Sequence, residues 1–164
     1  MQHIERLYDL FSRHPVVVTD SRKIEPGCLF FALKGQRFNG NQFAEEALRQ
    51  GAAYAVIDEA RYQPDDRYIL VENVLTALQQ LATRHRRQFL NPVIGITGSN
   101  GKTTTKELVA AVLSSHYTTH YTRGNLNNHI GVPLTLLSLP LHAEVALIEM
   151  GANHQGEIAF LCEI

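Results

Sequence analysis

The sequence contains few cysteines, so it does not resemble a disulfide-rich secreted protein. Its 164 residues include only two, Cys28 and Cys162, and no tryptophan. The two cysteines lie far apart in apolar stretches, so a single disulfide is the alternative to two free thiols. We expect two buried free thiols in a reducing cytoplasm.

The chain also lacks a large net charge, a long apolar run and a leader-like N-terminus. Its 15 basic and 16 acidic residues give a net charge of −1, which favours neither a nucleic-acid nor a membrane partner. No segment approaches the roughly 20 apolar residues of a transmembrane helix. Residues 1–6 include Glu5 and no apolar run, unlike a signal peptide. We therefore expect a cytoplasmic protein without nucleic-acid partners or membrane insertion. We also expect it to be a monomer.

The apolar pattern alternates between strand-like and helix-like segments. Strands are predicted at 16–19, 28–33, 54–57, 68–71, 93–97, 117–121 and 143–150, and helices at 4–11, after Gly40, at 75–89, at 102–115, before Leu139 and after Gly156. This alternation predicts an α/β protein with parallel sheets. Asn91-Pro92 marks a domain boundary. We predict a small α/β domain at 1–90, and we predict that 91–164 is the first part of a parallel-sheet domain.

Some predictions concern burial and the end of the chain. Buried strands are expected at 93–97 and 143–150, a solvated helix end at 84–87, and an apolar helix side formed by Leu108, Val109, Val112 and Leu113. In the last helix, Phe160, Leu161 and Ile164 still need packing partners. We expect an N-terminal piece of a longer protein, inactive by itself; a minimal domain is the alternative.

A glycine-containing loop follows the strand at 93–97. It consists of Gly98, Ser99, Asn100, Gly101, Lys102, Thr103 and Thr104. In such a loop, backbone N–H groups and a helix N-terminus face phosphates, the lysine supplies positive charge, and the first threonine can bind Mg²⁺. The strict motif has glycine where this chain has Ile96, so the loop is a variant. It predicts an ATP and Mg²⁺ site; the alternative is a simple glycine turn before a helix.

Polar residues follow the two later strands. Glu149 closes the strand at 143–150, and carboxyl ends of strands in α/β sheets face the ligand crevice. A carboxylate there suits Mg²⁺, with a solvated glutamate as the alternative. The asparagines within 123–129 are either turn formers or ligand contacts. We expect His129 and His154 to be loop or surface histidines.

The N-terminal segment carries basic groups near the ends of two predicted strands. They lie at 20–23, Lys34 and Arg37. Solvated charges and an anion site, such as one for a nucleotide-sugar diphosphate, remain equally open interpretations.

Several of these segments resemble those of one enzyme family. Residues 97–103 resemble the ATP signature of the Mur ligases, and 19–22 and 26–35 resemble the family's N-terminal domain, which binds UDP-N-acetylmuramoyl peptides. Segments 124–133 and 149–158 are similar to those of family members that add D-alanyl-D-alanine.

The resemblance implies an ATP-dependent ligase that joins D-alanyl-D-alanine to a UDP-N-acetylmuramoyl tripeptide through an acyl phosphate, in cell-wall precursor synthesis. It also implies these roles: Lys102 acts in catalysis, residues 98–104 bind ATP, Thr103 and Glu149 bind Mg²⁺, and Ser21, Arg22, Asn127 and Asn128 face the UDP substrate. Residues 1–90 would bind that substrate, and 91–164 would begin the central P-loop ATPase domain. The alternatives are the ligase that adds the third amino acid to the UDP-muramoyl dipeptide, and a non-catalytic nucleotide-sugar-binding module.

Overall fold

A computed structural model describes residues 2–164, with side chains from Ile4 onward. The chain divides into two compact units, one ending at Leu81 and the other beginning at Ala82. The division falls within the helix Val74–Arg86. Assignment of the predicted domains to 1–90 and 91–164 stays a prediction. No helix within residues 2–164 has both the length and the apolar character needed to cross a membrane.

The first unit is built on a four-stranded parallel sheet. Its elements are α1 (Gln2–Arg13), β1 (Val17–Val18), β2 (Leu29–Phe31), β3 (Lys34–Gly35), β4 (Phe38–Asn39), α2 (Ala44–Arg49), β5 (Tyr54–Ile57), β6 (Tyr68–Leu70) and the start of α3 (Val74–Arg86), with 3₁₀ helices at Ser21–Lys23, Gly40–Phe43 and Ala60–Tyr62. The sheet order is β1-β2-β5-β6. β3 and β4 form an antiparallel hairpin, which the sequence did not predict because two-residue strands are too short to show a periodicity.

One buried apolar cluster of this unit lies between the sheet and α2. Phe30 and Ile57 from the strands and Leu48 from α2 belong to this cluster. Cys28 is also buried there, and burial raises the pKa of its thiol. Both cysteines are free, as predicted, but Cys162 is exposed, so the prediction of two buried thiols is wrong for that residue.

The second unit is built on a three-stranded parallel sheet. Besides the end of α3 it contains β7 (Val93–Ile96), α4 (Lys102–Ser114), β8 (Thr119–Tyr121), α5 (Gly131–Leu137), β9 (Val145–Glu149) and α6 (Glu157–Cys162). The order is β7-β9-β8, and all five residues of the central β9 are buried. Ile96 is in register with Glu149, and Tyr121 with Leu147. The carboxyl ends of the three strands therefore meet at one edge of the sheet.

Three burial predictions for this unit are wrong. β7 lies at an edge of the described sheet, and Ile94 is 39% exposed, so β7 is not a buried strand. On α4, Leu108 and Val112 are 65% and 72% exposed, because the helix faces β8 and β9 with its opposite side. His85, expected in a solvated helix end, is buried, and its Nε2 lies 2.8 Å from the carbonyl oxygen of Leu139.

Candidate functional site

The glycine-containing loop runs from the end of β7 into α4. Gly98 has φ = 148° and Gly101 has φ = 75°, in the region that side chains disfavour. Gly101 directly precedes the first helical residue, Lys102, so the left-handed turn leads straight into the helix. Residues 97–101 are exposed. The helix N-terminus therefore presents its unpaired backbone N–H groups at an open loop, an arrangement that suits phosphate.

Lys102 folds back across this loop. Its Nζ donates a hydrogen bond to the carbonyl oxygen of Gly98 over 2.6 Å. The lysine thus places its positive charge against the same loop whose backbone suits an anion. The sequence-predicted lysine and glycines lie together, whereas Ser99 and Asn100 form the exposed tip and Thr104 is exposed in the first turn of α4.

Glu149 brings three segments of the second unit together. It ends β9 and is 1% exposed. Its Oε1 accepts hydrogen bonds from Thr103 Oγ1 (3.2 Å) and from Asn127 Nδ2 (2.7 Å). Its backbone N–H donates to Thr122 Oγ1 over 2.9 Å. The carboxylate predicted from the strand end therefore contacts the threonine predicted from the loop.

The second oxygen of this carboxylate lacks such partners. Among the described residues, Glu149 Oε2 is buried without a hydrogen-bond partner, 3.5 Å from the Nζ of Lys106. A buried carboxylate oxygen without a hydrogen bond is costly, and Mg²⁺ binds carboxylate and hydroxyl oxygens. Since Thr103 donates its proton to Glu149, its oxygen lone pairs remain available. The Thr103–Glu149 pair thus fits a magnesium ion. Within residues 2–164, no group of three or more His, Cys, Asp or Glu side chains is suited to hold a metal.

Lys106 is the site residue that sequence reasoning missed. Its side chain is fully buried, and Nζ lies 3.1 Å from Glu107 Oε1 and 3.4 Å from the carbonyl oxygen of Gly124. A lysine three residues after Thr103 lies on the same face of a helix. That spacing was visible in the sequence and could have placed Lys106 beside the loop.

Asn127 and Asn128 have different surroundings. The carbonyl oxygen of Asn127 accepts from the Gly151 N–H over 2.7 Å, and its side chain reaches Glu149. The Oδ1 of Asn128 accepts from the N–H groups of Ile130 (3.0 Å) and Gly131 (2.8 Å). Asn128 therefore stabilises the turn that leads into α5, as turn-forming asparagines do. Asn127 is the asparagine that lies at the carboxylate.

Ser21 and Arg22 lie in the first unit, within the 3₁₀ helix Ser21–Lys23. Arg22 donates from Nε and Nη2 to the two oxygens of Asp20, each over 2.8 Å. These hydrogen bonds lower the pKa of Asp20 to about 2 and raise that of Arg22. The Arg22 side chain is nevertheless 86% exposed. Lys34 pairs with Asp58 and Glu59, so carboxylates balance both basic side chains.

Models of one protein family match most of each unit. Residues 15–86 match the model described as "Mur ligase family, catalytic domain". Residues 96–164 match the model described as "Mur ligase middle domain". The chain belongs to the Mur ligase family. The resemblance inferred from the loop and the strand-end motifs is thereby confirmed.

Among Mur ligases, the chain is similar to members named UDP-N-acetylmuramoyl-tripeptide–D-alanyl-D-alanine ligase. It is 48% identical to the one from Bacillus subtilis over 150 residues, which cover 90% of this chain and 33% of the relative. It is 49% identical to the one from Escherichia coli over 144 residues, which cover 88% and 32%. The chain therefore spans about a third of the length of these relatives.

A solved Mur ligase structure has the same fold. The structure described as MurF ligase from Thermotoga maritima in complex with ADP superposes with a TM-score of 0.83 at 38% identity. The match covers 94% of this chain and 36% of that one. The predicted α/β class with parallel sheets is confirmed.

Proposed function

We propose that this chain supplies the phosphate-binding loop and two metal ligands, Thr103 and Glu149, of an ATP-dependent ligase. The proposed reaction joins D-alanyl-D-alanine to a UDP-N-acetylmuramoyl tripeptide through an acyl phosphate, as a step of cell-wall precursor synthesis in the cytoplasm. The choice of substrates is supported by the sequence identity to the relatives named UDP-N-acetylmuramoyl-tripeptide–D-alanyl-D-alanine ligase.

The observation that carries the ATP assignment is the hydrogen bond between Thr103 and Glu149. It joins the first turn of α4 to the end of the central strand. A hydroxyl and a carboxylate beside a phosphate loop form the usual protein contribution to a magnesium–nucleotide site. A magnesium ion held by Thr103 and Glu149 would neutralise negative charge on the phosphate oxygens.

The protein's own groups have distinct tasks in this proposal. The N–H groups at the start of α4 bind phosphate oxygens through their partial positive charge. Lys102 lies over the same loop and adds a full positive charge where negative charge accumulates during phosphoryl transfer. Thr103 and Glu149 hold the metal, and Asn127 keeps the Glu149 carboxylate in place through its hydrogen bond to Oε1.

The UDP substrate is assigned to the polar side chains at the two sequence-predicted places. In the first unit, Ser21 and Arg22 lie on a short 3₁₀ helix, with the guanidinium accessible. In the second unit, Asn127 and Asn128 lie in the loop between β8 and α5. An exposed guanidinium suits a diphosphate, because it can form two parallel hydrogen bonds to phosphate oxygens.

A ligation assay tests this proposal on the gene product that carries the chain. The protein is incubated with ATP, Mg²⁺, UDP-N-acetylmuramoyl tripeptide and D-alanyl-D-alanine. The expected result is pentapeptide product by mass spectrometry and an equal amount of ADP. Product formed instead from the dipeptide and a free amino acid would identify the other ligase. UDP-sugar binding without ADP release from any substrate set would identify a non-catalytic module.

A further inference from the structure

Lys106 is a fully buried lysine that the proposed chemistry does not use. Its ammonium lies between three oxygens, one each from Glu149, Glu107 and Gly124. Burying an ammonium is costly unless it is paired. A methionine or leucine could fill this place on α4 at a lower desolvation cost. The reason for a buried positive charge at this position must therefore lie in the groups that the ammonium contacts.

The two oxygens of Glu149 have separate partners. Oε1 accepts from Thr103 and Asn127, whereas Oε2 faces Lys106 at 3.5 Å. A carboxylate held from both sides cannot rotate about its terminal bond without breaking contacts on both sides. The charge of Lys106 also compensates that of Glu149 before any metal binds.

Lys106 contacts a second element through the carbonyl oxygen of Gly124. Gly124 lies in the loop between β8 and α5 that also carries Asn127, and its φ is 56°. One ammonium therefore connects α4, the end of β9 and the loop before α5. Lys102 and Thr103 stand one turn earlier on the same helix, so the phosphate loop and the asparagine loop share this anchor.

From this geometry we infer that Lys106 is a positioning residue. It fixes the orientation of the Glu149 carboxylate and holds the loop Gly124–Asn127 against it, without itself contacting substrate. The inference rests on the proposed function in so far as Glu149 binds the metal. Its structural half, the anchoring of the loop, is independent of that assignment.

The test compares Lys106→Met with the matched control Glu107→Gln. Methionine keeps the unbranched shape and removes the charge, while Glu107 is the exposed partner of the same ammonium. Mn²⁺ is titrated by electron paramagnetic resonance in the presence of ADP. We expect about tenfold weaker Mn²⁺ binding in Lys106→Met, the range found for groups that orient metal ligands, and less than twofold in Glu107→Gln.

Amide hydrogen exchange provides the second measurement on the same proteins. Exchange at Gly124–Asn127 rises in Lys106→Met and stays at the wild-type level in Glu107→Gln. If Lys106→Met does not fold, the double variant Lys106→Met/Glu149→Gln removes both buried charges together. We expect faster loop exchange in this double variant than in Glu149→Gln alone.

The outcomes separate the two proposals. Mn²⁺ binding that is absent from the wild-type protein counts against the proposed metal site, and the exchange measurement then decides the role of Lys106. A folded Lys106→Met protein with wild-type Mn²⁺ affinity and wild-type exchange at Gly124–Asn127 overturns the positioning role. In the double variant, loop exchange equal to that of Glu149→Gln does the same.

Discussion

Asn127 donates a hydrogen bond to Glu149 over 2.7 Å although 22 residues separate them in the chain. The contact exists because β8 and β9 are parallel neighbours, so the loop after β8 and the last residue of β9 meet at one edge of the sheet. The same Glu149 oxygen accepts from Thr103 at the start of α4. Glu149 is thus the point at which the phosphate loop, the asparagine loop and the central strand meet.

Replacing Lys102 with methionine is expected to lower nucleotide turnover strongly and leave the fold unchanged. Its ammonium contacts the exposed carbonyl oxygen of Gly98, so the core loses nothing, whereas phosphoryl transfer loses a positive charge. Loss of one electrostatic contact of this kind lowers turnover about a hundredfold or more. ADP release by the gene product measures the effect, with Arg87→Met as an exposed-charge control. Near-normal turnover would remove Lys102 from the mechanism.

Thr103→Val is expected to weaken Mn²⁺ binding about tenfold. Valine keeps the shape but removes the proposed metal ligand and one donor to the Glu149 carboxylate. A hydrogen bond to a charged group contributes about 1.5–3 kcal/mol, and about 1.4 kcal/mol corresponds to a factor of ten. Thr105→Val, two residues along the same helix and also exposed, is the matched control. Equal Mn²⁺ affinities of the two variants would contradict the proposed ligand.

The loop and Glu149 were predictable because their signals are local. A strand, a glycine turn and Lys-Thr before a helix are contiguous in sequence, and the strand end places the carboxylate by the geometry of parallel sheets. The strand–helix alternation similarly predicted every α-helix and all strands except the hairpin β3–β4. These features follow from short-range periodicity and from chain connectivity.

The remaining features depend on tertiary packing. The sequence gives α4 an apolar side at Leu108 and Val112, yet the helix buries Lys106 and Ala110. Contacts with β8 and β9 decide which side of α4 faces the sheet. Lys106 can be buried on that side because its ammonium contacts oxygens of Glu149 and Gly124. His85 is buried for a similar reason, since its partner Leu139 lies 54 residues away. Periodicity within one segment carries no information about such partners.

Gly151→Ala is expected to destabilise the second unit by about 1 kcal/mol. A Cβ at Gly151 would stand 3.2–3.3 Å from the side-chain atoms of Asn127, so the asparagine must shift by a few tenths of an ångström. Overpacking of this kind costs about 1–3 kcal/mol, and we expect the lower end because one side chain can move. Chemical denaturation measures the change. In an Asn127→Ala background the cost of Gly151→Ala should disappear; an undiminished cost would place the strain elsewhere.

Arg22→Met is expected to weaken UDP binding by the first unit, whereas Lys23→Met is not. The Arg22 guanidinium is exposed and can reach phosphate oxygens, and Asp20 holds it in one orientation. Titration of the labelled chain with UDP, followed by NMR, should shift amide signals at 20–23. If UDP instead shifts only signals near Lys102, the UDP site is assigned to the wrong unit.

Acid should destabilise the first unit through the carboxylates that pair with Lys34. The Nζ of Lys34 lies 2.8 Å from Asp58 Oδ1 and 3.0 Å from Glu59 Oε1. Hydrogen bonds from Lys34 and then Asn39 lower the pKa of Glu59 to about 2. Burial raises the pKa of Asp58, but hydrogen bonds from Lys34, Asn41 and the Val74 N–H outweigh it, and the net shift is downward.

The sign of the pH dependence follows from these lowered pKa values. A carboxylate whose folded pKa lies below its unfolded pKa stabilises the fold above the unfolded value, near pH 4.5 for Glu59, and this contribution is lost as the pH falls through about 2. We therefore expect the melting temperature of the first unit to fall between about pH 4.5 and pH 2. In Lys34→Met, the carboxyl NMR titration of Glu59 should move to higher pH and the acid-dependent fall should become shallower. Lys23→Met is the control, because it removes a lysine charge that does not contact Glu59. If the acid-dependent fall became equally shallow in Lys23→Met, the effect would be due to net charge and not to the Lys34 contacts.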